Sequence, residues 1–266
     1  MSAAPIQSAS SGGIARITLN RPDKRNALDA ATIAALTAEL KRCASDATVR
    51  LVQITGAGEV FCAGADLSEM QAQAHATETE NLVHAQKLAT LLGTLDSLPK
   101  PTLARVNGDG YGGALGLLAA CDIVIAVEQA KFAFTEVRLG IVPAVVSPFV
   151  LAKIGQSAAR RYFLTAEIMT AATLKELGLV HETVAAPELD AVCGQISDAI
   201  LRGAPGALSA AKTLIRDMAN GSAGKRSQDA LDMASRLARL RVTEEAQEGF
   251  NAFFAKRRPG WRLDQT

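Results

Sequence analysis

The first half of this chain alternates short apolar runs with longer stretches of helical period, and that alternation limits the folds open to it. Ile14 to Asn20 (IARITLN) alternates apolar and polar residues, the pattern of a half-buried strand. Val49 to Thr55 (VRLVQIT), Thr102 to Val106 and Asp122 to Val127 (DIVIAV) read as further strands, the second of them introduced by Pro99 and Pro101. Asp29 is placed to cap a helix running to about Asp46, with Ile33, Leu36 and Leu40 on one face, and residues 80–97 predict another helix. Residues 67–78 are polar and are expected to be mobile. Strands and helices in alternation imply an α/β architecture of repeated ββα-like or βαβ units. Beyond about residue 145 the strand signal fades, and helical patterns cover 147–163, 170–178, 187–202, 206–219 and 223–256. The run Gly203-Ala204-Pro205-Gly206 is the best break. The expected organisation is therefore a flexible lead-in over 1–12, an α/β core over 13–203 and a helical region over 204–266. Helices appended to one end of a core tend to pack on a neighbour, so an oligomer is expected.

Composition excludes several alternatives. With 266 residues, 48% of them hydrophobic and 21% charged, the chain can bury a large core. Lys plus Arg numbers 28 against 27 for Asp plus Glu, which argues against a general polyanion-binding or membrane-surface protein. No stretch approaches the ~18 apolar residues of a membrane span. The opening MSAAPIQSASSGG has neither the basic nor the apolar region of a secretory signal. Cys43, Cys62, Cys121 and Cys193 are scattered, and His75, His84 and His181 fall at no ligand spacing. No metal site is expected, and reduced thiols of a cytoplasmic protein are the default reading. His84, on a predicted helix, reads as a solvated side chain.

Three features carry chemistry. Phe61-Cys62-Ala63-Gly64-Ala65-Asp66-Leu67 is a turn of small residues after a strand, where a ligand can approach the backbone and an exposed amide can hold negative charge. Asn107-Gly108-Asp109-Gly110-Tyr111-Gly112-Gly113-Ala114-Leu115-Gly116 places glycines before a helix, whose free N–H groups and dipole favour an anion or oxyanion. No Gly-Lys-Ser/Thr follows, so it is not a P-loop, and its irregular spacing is not a dinucleotide fingerprint. Glu136 lies among apolar residues, where a carboxyl has its pKa raised and suits proton transfer near neutrality. Each has a structural counterpart: a tight packed turn, close helix–strand packing, and a surface ion pair between Glu136 and Arg138.

Taken together and in this order, the three features resemble the enoyl-CoA hydratase/isomerase (crotonase) superfamily. The resemblance runs from about residue 12 to 262. It adds Arg21-Pro22-Asp23-Lys24-Arg25-Asn26-Ala27-Leu28, Cys121-Asp122, Thr135-Glu136 and the closing Lys256-Arg257-Arg258-Pro259-Gly260-Trp261. It implies a crotonase-like spiral of ββα units with a helical C-terminal trimerisation region, and a homotrimer or hexamer. It also implies an acyl-CoA thioester as substrate, with no separate cofactor. By motif, the N–H groups of Ala65 and Gly113 map onto the oxyanion hole that holds the thioester enolate. Ala63, Ala65, Asp66, Leu67, Gly112, Gly113 and the backbone around Arg25 and Ala27 map onto the CoA path. Lys24, Arg25 and Lys256 or Arg257 of a neighbouring subunit map onto the phosphates.

One departure stands out. Hydratases resembled here carry two glutamates; one maps onto Glu136, and the other maps onto Gly116. The stretches Glu136 to Pro148, Ala158 to Glu167 and Gly113 to Leu117 look like the methylglutaconyl-CoA hydratase branch, in which Arg138 would face a distal carboxylate. The expected activity is addition of water to an α,β-unsaturated acyl-CoA. The alternatives are double-bond isomerisation with Glu136 as sole acid and base, and a catalytically weak acyl-CoA-binding relative.

Overall fold

The alternating sequence folds into nine strands and ten helices among the described residues, which in this computed structural model are 4–220 and 226–262. Strand β1 (Ile6–Ser11) pairs antiparallel with β2 (Ile14–Leu19). Ser11-Gly12-Gly13 forms the turn between them, and both glycines have positive φ. Residues 6–11 were expected in the flexible lead-in. They are exposed on an edge strand and lack an apolar alternation strong enough to announce one.

The rest of the main sheet is parallel. β3 (Leu51–Gly56), β4 (Thr102–Val106), β6 (Ile123–Val127) and β9 (Glu182–Val184) extend it in the order β1-β2-β3-β4-β6-β9. All six residues of β3 are buried, as befits a parallel strand covered on both faces. A second sheet, β5 (Gly110–Tyr111), β7 (Lys131–Ala133) and β8 (Met169–Thr170), lies beside the glycine-rich turn. Its strands are two or three residues long, too short for a period to register in sequence.

Helix α1 (Ala30–Ser45) starts as expected. The Asp29 carboxylate accepts from the Thr32 N–H at 2.7 Å, and Ile33, Leu36, Leu40 and Cys43 face the core. α2 (Leu67–Gln73) occupies part of the polar stretch expected to be mobile; it is capped by Asp66, whose side chain accepts from the Ser68 N–H. α3 (Glu78–Asp96) opens with a capping box between Thr77 and Glu80. α4 (Gly113–Ala120) is buried almost throughout, and α5 (Ser147–Thr165) breaks at Gly155, where φ is +70°.

α6 (Ala171–Glu176), α7 (Leu189–Arg202), α8 (Pro205–Asn220), α9 (Arg226–Arg241) and α10 (Glu244–Phe254) complete the chain. The expected helix over 223–256 is thus two helices, divided before Thr243, which caps α10; residues 221–225 lie outside those described. Arg50 ties the end of the chain to the core. Its guanidinium donates to the Trp261 carbonyl at 2.8 Å and to the Gly203 carbonyl at 2.7 Å. No helix among the described residues is long and apolar enough to cross a membrane.

Candidate active site

The two small-residue turns meet through their backbones. Tyr111 N–H donates to the Cys62 carbonyl, and Phe61 and Cys62 N–H both point at the Asp109 carbonyl. Gly64, at φ +87°, makes the closest approach: a Cβ there would lie 2.6 Å from the Tyr111 carbonyl oxygen and 3.7 Å from the Gly113 nitrogen. Only glycine satisfies both the positive φ and the contact.

Following the amides along the first turn isolates one of them. Ala63 N–H donates to the Arg25 carbonyl, Gly64 N–H to the Cys62 sulfur, and Asp66 N–H to the Leu28 carbonyl. For Ala65 N–H no acceptor occurs among the described residues. In the second turn, Gly112 N–H donates to the Ala133 carbonyl, whereas Gly113 opens α4 and its N–H is one of the free donors of a helix N-terminus. Two unpaired amides, Ala65 and Gly113, therefore line one cavity of about 330 Å³, together with Leu28, Leu88, Val146 and Glu136.

Glu136 opens the 3-10 turn Glu136–Leu139 directly after the second sheet. Its Oε1 lies 3.3 Å from where a Cβ on Gly112 would sit, so the glycine gives the carboxyl room beside the Gly113 amide. Its Oε2 is buried without a hydrogen-bond partner. Burial raises its pKa above the ordinary carboxylate value. The surface pair with Arg138 does not form: the Arg138 guanidinium donates to the Ala166 carbonyl at 2.8 Å, and Arg138 is absent from the cavity lining. Arg138, expected to face a distal carboxylate, thus lies outside the lining of this cavity.

Gly116 is buried, one turn along α4. A Cβ there would lie 2.5 Å from Val146 Cγ1 and 3.0 Å from Leu92 Cδ1. The volume a second carboxylate would need is filled by apolar side chains.

Arg21 is a positioning residue that motif reading passed over. It pairs with Asp66 at 2.9 Å and Asp29 at 3.1 Å, and donates to the Ala27 carbonyl. It thus joins the segment before α1 to the start of α2. The Asp66 carboxyl is held at about 2, mainly by Ser68 and then by Arg21, which makes it a structural anion. Lys24, Arg25, Leu67 and Lys256 are exposed, and Arg25 stands 4.0 Å from Asp109. Ala27 is buried and Ala63 partly so. The Cys62 thiol is buried and pushed up to about 12, which keeps it protonated and poorly nucleophilic. Among the described residues, no group of three or more His, Cys, Asp or Glu could hold a metal ion.

Two unpaired amides, a half-buried carboxyl and a cavity between helices are the parts of a site that stabilises an oxyanion and moves a proton. Residues 9–264 match the enoyl-CoA hydratase/isomerase family, and the chain belongs to it. The 2,3-dehydroadipyl-CoA hydratase of Escherichia coli is 35% identical over 92% of this chain and 94% of its own length. The mevalonyl-coenzyme A hydratase of Aspergillus fumigatus is 34% identical over 92% of this chain and 90% of its own. An enoyl-CoA hydratase structure from Shewanella pealeana superposes with a TM-score of 0.93 at 40% identity, covering 97% of this chain and 96% of that one. The architecture is the crotonase fold, and the activity is enoyl-CoA hydratase-like at the level of the family.

Proposed function

We propose that this enzyme adds water across the C2=C3 bond of an α,β-unsaturated acyl-CoA. The observation that carries the reading is that Glu136, whose Oε2 is buried without a partner, lines the cavity where the Ala65 and Gly113 amides are unpaired. In this mechanism the thioester oxygen sits between the two amides. Ionised Glu136 takes a proton from water as the water oxygen bonds to C3, and the C2=C3 electrons move onto the thioester as an enolate. Protonated Glu136 then returns that proton to C2, the enolate collapses, and the sum is one water added with no redox change. Loss of one oxyanion donor costs about 2.7–4 kcal/mol in comparable sites. Lys24 and Arg25, with Lys256 of a neighbouring subunit, take the CoA phosphates, and Ala63 to Leu67 with Ala27 and Gly112 border its path. The assembly is a trimer or a dimer of trimers, and the setting is the cytoplasm.

The finer substrate reading, a 3-methylglutaconyl-CoA-like ester, rests on the resemblance of the 136–148 and 158–167 stretches. Two observations weigh against a distal carboxylate: Arg138 donates to the Ala166 carbonyl outside the cavity lining, and no Lys or Arg lines the cavity.

A second reading is favoured by the Gly116 packing. With no room for a second carboxylate, Glu136 alone could shuttle a proton between C2 and C4 of an enoyl-CoA. Incubation with crotonyl-CoA, 3-methylglutaconyl-CoA and a 3-enoyl-CoA separates the two, because only hydration adds the mass of a water. Isomer formation without that mass gain overturns the hydratase reading.

A further inference from the structure

His84, Leu88 and Leu92 follow one another at four-residue intervals on α3 and so share a face. Leu92 packs at the Gly116 position, and Leu88 lies 3.9 Å from where a Cβ on Gly113 would be. His84 continues this wall by one turn, about 5.4 Å, towards α2. There the cavity changes from apolar to polar, with Glu69, Gln73, Asn81 and His84 all lining it.

Hydrogen bonds to side chains and backbone fix these side chains. Gln73 Nε2 lies 3.0 Å from His84 Nδ1. Asn81 Nδ2 donates to the Gln73 carbonyl at 3.1 Å. Glu69 Oε1 accepts from the Ala30 N–H at 2.7 Å, while its Oε2 stands 3.9 Å from His84 Nδ1. Where the Gln73 amide nitrogen donates to Nδ1, the ring proton is carried on Nε2. That Nε2–H has no acceptor among the described residues.

We infer that His84, positioned by Gln73, selects substrates by donating this hydrogen bond to an uncharged oxygen, a hydroxyl or carbonyl, on the acyl chain. The inference rests on the acyl-CoA reading of the cavity. An alkyl chain against this wall would strip water from the donor and return no partner. A terminal carboxylate would meet the carboxyl groups of Glu69 and Glu136 with no Lys or Arg in the lining to offset them.

The test compares three 2-enoyl-CoA esters of equal length, ending in a hydroxyl, a methyl or a carboxylate. Turnover is measured with each, and binding of the saturated counterparts is measured by calorimetry. Wild type is expected to favour the hydroxyl ester in both readouts. His84→Leu should lower that preference about tenfold, the value of one hydrogen bond, and leave the methyl ester within about twofold. His84→Gln, which keeps a donor, should retain part of the preference, and Gln73→Ala should lose part of it. An equal preference in wild type and His84→Leu, or a wild-type preference for the carboxylate, overturns the inference. A His84-dependent binding preference without turnover of any ester supports it while overturning the hydratase reading. Failure to bind every ester overturns both.

Discussion

The Glu136 carboxyl is harder to ionise in the folded chain than in the unfolded one, because burial disfavours the charged form. Its pKa is raised on folding, so the stability it contributes is fully present below the unfolded value and is lost as pH rises through the folded one. Glu136→Gln should therefore melt above wild type once the carboxyl ionises, the gap opening as pH rises from the unfolded value through the folded one and then staying constant in thermal scans. Turnover should move the other way, falling by about 10² to 10⁴ while binding of a CoA ester survives. The acidic limb of the wild-type kcat/KM profile should lie above 4.5, the unperturbed carboxylate value. Full activity in Glu136→Gln would remove the residue from the mechanism. At Gly116 the expectation is opposite in kind: Gly116→Glu drives a side chain into Val146 and Leu92, costs about 1–3 kcal/mol in overpacking alone, and restores no hydration rate. Melting temperature and crotonyl-CoA turnover check both halves.

At the scale of elements, what could be read from sequence depended on length and local chemistry. Asp29 announced α1 because a cap followed by apolar residues at helical spacing is a local signal. Ala65, Gly113 and Glu136 were found by motif, and the fold brings them to one cavity. β5, β7 and β8 went unseen because strands this short have no period. α2 was hidden by the polar composition of its exposed residues. His84 was read as solvated because its role depends on where α3 lies against α2, which no local pattern encodes. The Arg50 tie was equally invisible, since its acceptors are carbonyls of the Gly203 break and of Trp261, more than 150 residues away in sequence. Arg50→Ala would leave these carbonyls without their charged donor, and should cost about 1.5–3 kcal/mol, several degrees in melting temperature.

For the whole molecule, the C-terminal helices present an unfinished surface. Phe253 and Phe254 on α10 are each 77% exposed, and Leu231 and Leu237 on α9 are also exposed. Large apolar side chains concentrated on one region mark an interaction surface. Light scattering after size exclusion should give three or six times the 27.8 kDa chain mass. Phe253→Asp with Phe254→Asp should shift the protein towards monomer. A monomeric wild type would refute the trimer reading and, with it, the contribution of Lys256 from a neighbour to the CoA site.

The packing around Gly116 also bears on how such a chain can change over generations. Because Val146 and Leu92 occupy the space, placing a second carboxylate at position 116 requires trimming at least one of them as well as replacing the glycine. Each step alone carries a penalty, as a cavity in one order and as a clash in the other. Single substitutions can therefore refine the surroundings of Glu136 more readily than they can supply it with a second carboxylate at position 116.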